Sequence, residues 1–161
     1  MPNLVPWLLL LHVMGAIVAF GPTYIHSIIG GLGATEPQHA NFGLRVSETI
    51  TKRLVIPLAM LQGVTGLLLI ISRPWNLTDP NGRWLVSGII LYVVALGYAT
   101  GVQAKKVRAL IELTGKPRPA DAPPGPVAGA MELIKSIQFG GKLLSVLIFV
   151  IVLVMVVKPT M

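Results

Sequence analysis

LVPWLLLLHVMGAIVAFGPTYIHSIIGG, residues Leu4 to Gly31, is apolar enough and long enough to cross a bilayer. The hydrocarbon core is ~30 Å thick and takes about 20 helical residues. The stretch also sets one ionisable side chain, His12, where lipid would otherwise surround it. The rest of the chain reads as three more spanning helices packed against this one.

The bulk composition agrees. Of 161 residues, 53% are hydrophobic and 12% charged, and the mean hydropathy is +0.76. A soluble domain carries about 25% charged residues, so the deficit is too large for a soluble core. One span with its connection uses roughly 30–40 residues, so four fit and seven do not. Residues 1–161 read as a single all-α domain. The net charge of +7 does not point to nucleic acid, because the 13 Lys and Arg fall mostly between the apolar runs, beside anionic headgroups. With no cysteine, disulfides and thiolate metal sites are excluded.

The expected spans are 4–29, 54–71, 84–103 and 137–157. In the first, Gly21-Pro22 predicts a bend, since proline removes a donor to the preceding turn, and Gly30, Gly31 and Gly33 predict its end. A polar amphipathic stretch, Glu36 to Arg53, precedes the second span, with Glu48 and Lys52 spaced to pair on one face. Pro57 then falls near the first turn of that span. Arg73-Pro74 closes it, because a residue before proline avoids helical geometry. Residues 73–83 form a short turn-rich connection, and Trp75 and Trp84 flank it as interface anchors. The third helix runs on past the bilayer to about Leu113, with Arg108 and Glu112 again four apart. Residues 115–126 hold five prolines and predict an extended, solvated loop. The fourth helix starts near Ala128 and leaves the membrane at Lys158-Pro159.

Basic residues set the orientation. Arg45, Lys52 and Arg53 lie between helices one and two. Lys105, Lys106, Arg108, Lys116, Arg118 and Lys135 lie between three and four, whereas the middle connection has only Arg73 and Arg83. The bundle is therefore expected N-out and C-out.

Small residues and polar contacts, not lipid exclusion, must hold such helices together. Gly97 and Gly101, Gly15 and Ala19, and Ala59 and Gly63 are the small pairs available for close packing or for a homodimer. Polar side chains within the spans should face inward. Tyr92 is expected near the level of His12, and Gln62, Tyr98 and Ser145 in a second layer. For His12 two readings stand open: an imidazole gluing helices through Tyr92 or a carbonyl, and an axial ligand or proton carrier. His26 lies fourteen residues on, nearly on the same face and ~21 Å away; it reads as interfacial. Lys142 either snorkels to the headgroups or serves an anionic ligand such as a porphyrin propionate. Met14, Met60 and Met155 differ in depth and read as packing. No run of carboxylates crosses the spans, which argues against permeation.

The segment LLLLHVMGAIVAFGP and the Lys142-Leu143-Leu144-Ser145-Val146-Leu147 run resemble an uncharacterised bacterial four-helix membrane family. More distantly they resemble the copper-resistance D membrane proteins and the integral-membrane protoporphyrinogen oxidase. The resemblance implies the bacterial cytoplasmic membrane. It also implies a haem or porphyrin role for His12 and Lys142 only. A haem- or porphyrin-binding reading of the chain uses His12 with Lys142 or Tyr92 in support and leaves the cofactor open, haem b being one candidate. The chain departs from the oxidase pattern after Gly21. The alternative is a non-enzymatic accessory or scaffold subunit of a membrane complex.

Overall fold

Four long helices carry the chain: α1 (Val5–Thr35), α2 (Pro37–Ile71), α3 (Arg83–Thr114) and α4 (Ala130–Val157), each long and apolar enough to cross a membrane. The computed structural model describes residues 4–72, 82–116, 127 and 129–159, and among them there is no strand. At ~1.5 Å per residue the helices are about 42–52 Å long, more than the hydrocarbon core requires. The all-α, four-helix architecture read from the sequence is the one the chain adopts. The end holding Val5, Ile71, Arg83 and Val157 is the terminal side; the opposite end is the loop side.

The helices associate as two hairpins. The terminal-side part of α1, residues 5–20, packs along α2 residues 56–71, while α3 packs along α4 over most of its length. The hairpins meet most closely on the loop side, where α2 residues 40–50 lie against α3 residues 104–114 and α1 residues 22–35 touch α4. Toward the terminal side longer side chains bridge the gap. The Tyr92 hydroxyl donates to the Ala59 carbonyl at 2.8 Å, and Ile70 packs on a small core of Trp84, Leu85 and Val154.

Several helix ends and irregularities differ from expectation for identifiable reasons. Glycines 30, 31 and 33 do not end α1, which runs on to Thr35; it stops at Glu36, the residue before Pro37. At Gly21-Pro22 the helix is interrupted but resumes in the next residue, with Gly21 itself in helical geometry. The polar stretch and second span form one helix, so Pro57 lies in its middle. Residues Thr51–Val55 just before it adopt a π-turn, and the Ile56 amide bonds back five residues to Thr51. A proline ring crowds the carbonyl four residues earlier, here Arg53, and the wider turn relieves that contact.

A second π-turn, Ala99–Gln103, interrupts α3. It overlaps the Gly97/Gly101 pair, which does not pack inside the bundle: both glycines are exposed, and a Cβ at either would meet nothing within 4 Å. Gly15, Ala19, Ala59 and Gly63 do lie at helix contacts. Trp84 is not an exposed anchor; it is 7% exposed, with the Lys158 ammonium 5.4 Å from its ring centroid. Trp7 is 70% exposed. Glu48 pairs with Lys52 as expected, but Arg108 turns to Glu48 across the helix contact, 3.6 Å away, rather than to Glu112. Trp75, most of the 73–83 turn and most of the 115–126 loop lie outside the described residues.

Candidate functional site

The terminal-side seam between α1 and α2 concentrates the polar chemistry. His12 Nδ1 lies 2.8 Å from Thr65 Oγ1. Thr65 is only 2% exposed, and its hydroxyl also lies 3.1 Å from the carbonyls of Leu61 and Gln62 on its own helix. A hydroxyl has one proton to give. A proton given to either carbonyl of its own helix lets Thr65 accept from His12 Nδ1–H. In that tautomer the neutral ring carries its lone pair on Nε2.

Glycines make room for this contact from both helices. A Cβ at Gly66 would lie 3.2 Å from His12 Cε1, so the imidazole rests on bare α2 backbone. One turn away the arrangement is reversed: a Cβ at Gly15 would lie 2.9 Å from Gln62 Oε1. Each helix thus offers a glycine to the other's polar side chain. Gln62 is 8% exposed, and its Oε1 is buried without a hydrogen-bond partner.

Tyr92 does not meet His12. Its hydroxyl bonds the Ala59 carbonyl over Gly63, where an added Cβ would come within 2.6 Å of Tyr92 Oη. Ala59 is six residues, ~9 Å, to the loop side of Thr65. Tyr92 therefore acts as a strut between α2 and α3. Lys142 is also apart from His12. It is exposed, and counting from the Ile70–Val154 contact it stands about 10 Å nearer the loop side. Nor do Gln62, Tyr98 and Ser145 join as a layer. The Ser145 hydroxyl donates to Gly141 of its own helix, and Tyr98 lies over Gly140 with Gln103. Gln103 Nε2 donates to the Ile137 carbonyl at 2.9 Å, tying α3 to α4.

His26 also reaches α2, as a face shared with His12 requires. Its Nε2 lies 3.3 Å from Thr51 Oγ1, while its Nδ1 is buried with no partner. The threonines were missed in the sequence, although a signal existed: Thr51 and Thr65 are separated by the same fourteen residues as His12 and His26. On two antiparallel helices that equal spacing predicts two rungs. Among the described residues no group of three or more His, Cys, Asp or Glu side chains gathers to hold a metal.

Among known proteins, the match is to a family described as predicted integral membrane protein (DUF2269), over residues 6–159. No curated protein and no solved structure matches the chain. The match covers all four helices and brings no activity with it. With four apolar helices and a family match over nearly its whole length, the chain is a multi-pass integral membrane protein that belongs to the DUF2269 family.

Proposed function

We propose that residues 1–161 act as one membrane domain in a bacterial cytoplasmic membrane, with both termini outside, and that the domain binds haem or a related porphyrin through Nε2 of His12. The supporting observation is the Thr65 contact. Histidine ligands of metals characteristically donate their other ring N–H to an oxygen, which fixes tautomer and ring orientation. The Nδ1–Thr65 contact of His12 is compatible with that arrangement. The distant likeness of the His12 segment to the membrane oxidase supports the same ligand class.

The residues fit such a group as a one-histidine site. When bound, haem supplies a redox-active or ligand-binding iron. His12 is the ligand, Thr65 positions it, and Gly66 leaves the ring its place. Tyr92 keeps α2 and α3 at their spacing. Lys142, exposed and nearer the loop side, reaches headgroup phosphates. His26 is engaged by Thr51, and His39 is exposed at the start of α2. Any second protein ligand to the group would therefore come from a second copy or from a side chain other than histidine.

The test is an absorption spectrum of protein purified in mild detergent with haem supplied. A Soret band that vanishes in His12→Ala and weakens about 10–100-fold in affinity in Thr65→Val is expected. Absence of the band, or its persistence in His12→Ala, rejects the reading. The orientation draws on the basic residues gathered at the loop side. It expects a periplasmic reporter fused after Met161 to be active.

A second reading, an accessory or scaffold subunit, draws on the outward Gly97/Gly101 face, which leaves backbone open to another helix. Under that reading His12→Ala lowers stability and removes no chromophore.

A further inference from the structure

We infer that Lys106 and Ser136, on facing turns of α3 and α4, hold the phosphate of an anionic phospholipid at the loop-side surface of the membrane. The site is separate from the His12 seam and stands or falls independently of the haem reading.

The two side chains already meet. The Lys106 ammonium donates to Ser136 Oγ at 2.7 Å, and both residues are partly buried between the helices. No carboxylate among the described residues comes within ion-pair distance of Lys106. A partly buried ammonium is therefore left with a neutral partner, although charges withdrawn from water are ordinarily paired. An ammonium has three protons, and a hydroxyl that accepts one still has its own to give. The pair offers donors and a positive charge. That suits a phosphodiester, whose two free oxygens only accept.

Depth names the source of the phosphate. At ~1.5 Å per residue Lys106 stands ~35 Å from Arg83, and Ser136 stands ~33 Å from Lys158 on a different helix. The hydrocarbon core is ~30 Å thick, so both reach headgroup level on the loop side. Exposed apolar side chains continue below them. Phe139 is 68% exposed, and Leu143, on the same face of α4 as Ser136, is 36% exposed. Acyl chains can lie there, a surface that a free phosphate does not use. The seam also fixes the spacing of the pair. Gln103 Nε2 donates to the carbonyl of Ile137, the residue after Ser136. Tyr98 and Gln103 would point about 140° apart on a regular helix. The π-turn at Ala99–Gln103 brings both over Gly140, where an added Cβ would lie 2.7 Å from Tyr98 Oη and overlap Gln103 Oε1. The two helices thus meet closely one turn below Ser136, which sets Lys106 and Ser136 within reach of one phosphate.

The test counts bound lipid by native mass spectrometry on the full chain in detergent micelles. The chain is offered phosphatidylglycerol, inorganic phosphate, or phosphatidylcholine with the same acyl chains, whose choline cation cancels the charge that Lys106 recognises. Wild-type protein should retain phosphatidylglycerol in preference to phosphatidylcholine. Lys106→Gln should weaken that binding by about tenfold or more, and Ser136→Ala by about threefold to tenfold. Lys105→Gln, which removes the same charge from an exposed neighbour, should bind as wild type. Equal losses in the two lysine variants, or no preference between the lipids in wild type, would overturn the site in favour of diffuse surface charge. Inorganic phosphate that displaces the lipid at equal concentration would overturn the lipid as occupant. If Lys106→Gln folds poorly, Ser136→Ala decides, since it keeps the charge: wild-type affinity in that variant rejects the pair.

Discussion

His12 and His26 occupy the same face of one helix and each meets a threonine of the same neighbour, yet the two rungs are built differently. At the first, the bond is 2.8 Å, it runs through Nδ1, and the threonine is nearly inaccessible. At the second, it is 3.3 Å, it runs through Nε2, and Nδ1 stays buried and unpaired. The first rung lies between regular turns of α1 and α2, with Gly66 beneath the ring. The second lies where α2 enters its π-turn at Thr51. The same residue pair therefore gives a firm, oriented imidazole at one level and a loosely held one at the other. The difference comes from backbone regularity and glycine placement.

Removing the threonine hydroxyls should expose that asymmetry most strongly. Thr65→Val removes the buried hydroxyl 2.8 Å from His12 Nδ1 in an apolar seam, a loss of about 1–3 kcal/mol. Thr51→Val removes a long contact from a ring that already carries an unpaired nitrogen, and should cost about 0.5 kcal/mol or less. Unfolding of both variants by denaturant titration in detergent micelles measures the difference. Equal losses would show that the rungs are equivalent and that bond length and burial have been overweighted.

Glycine-to-alanine changes should separate the two ends by sign. At Gly66 the new methyl would sit 3.2 Å from His12 Cε1, so the imidazole must shift. Near the loop side, Gly30 has open space around it. Alanine is favoured over glycine within a helix by about 0.8–1.0 kcal/mol. Gly30→Ala should therefore stabilise by up to that amount, while Gly66→Ala should lose all of it and destabilise the protein by roughly 1 kcal/mol. Thermal midpoints of the two variants should move in opposite directions. A rise in both would mean the His12 ring has room to spare.

How much of this was legible follows from what carries each feature. Four apolar runs bounded by prolines and basic residues dictate four helices, and a fourteen-residue interval dictates one shared face for the histidines. Partners are harder to read, since Thr65 and Tyr92 are ordinary-looking residues until two helices are set in register. That is why the sequence suggests Tyr92 or a carbonyl as the partner of His12 and does not single out Thr65. Lys142 stays open between two readings in the sequence for a related reason. Its depth is readable from the chain, but its direction depends on how α4 is rotated. The outward turn of Gly97 and Gly101 accompanies a π-turn that has no distinct sequence signature. Only Pro57, beside the other π-turn, hints at such a distortion.

The smallest effect belongs to the loop side, where α2 meets α3 through charge. The Glu48 carboxyl is held below its usual range by its hydrogen bond to the Lys52 ammonium and by the positive charges of Lys52 and Arg108. An acid with a depressed value in the folded state stabilises the fold above its unfolded value, and that contribution is lost as pH falls through the folded one. Here the loss begins below about pH 4.5. Exposed pairs of this kind contribute about 0.3–0.5 kcal/mol, so Glu48→Gln should lower the unfolding free energy slightly at pH 7 and flatten the acid limb of the stability profile. High salt should reproduce the first effect by screening. A Glu48→Gln variant that kept the wild-type acid limb would assign that limb to other carboxylates, leaving the α2–α3 contact to the Asn41 amide, which donates to the Ile111 carbonyl at 3.0 Å and to the Thr114 hydroxyl at 2.9 Å.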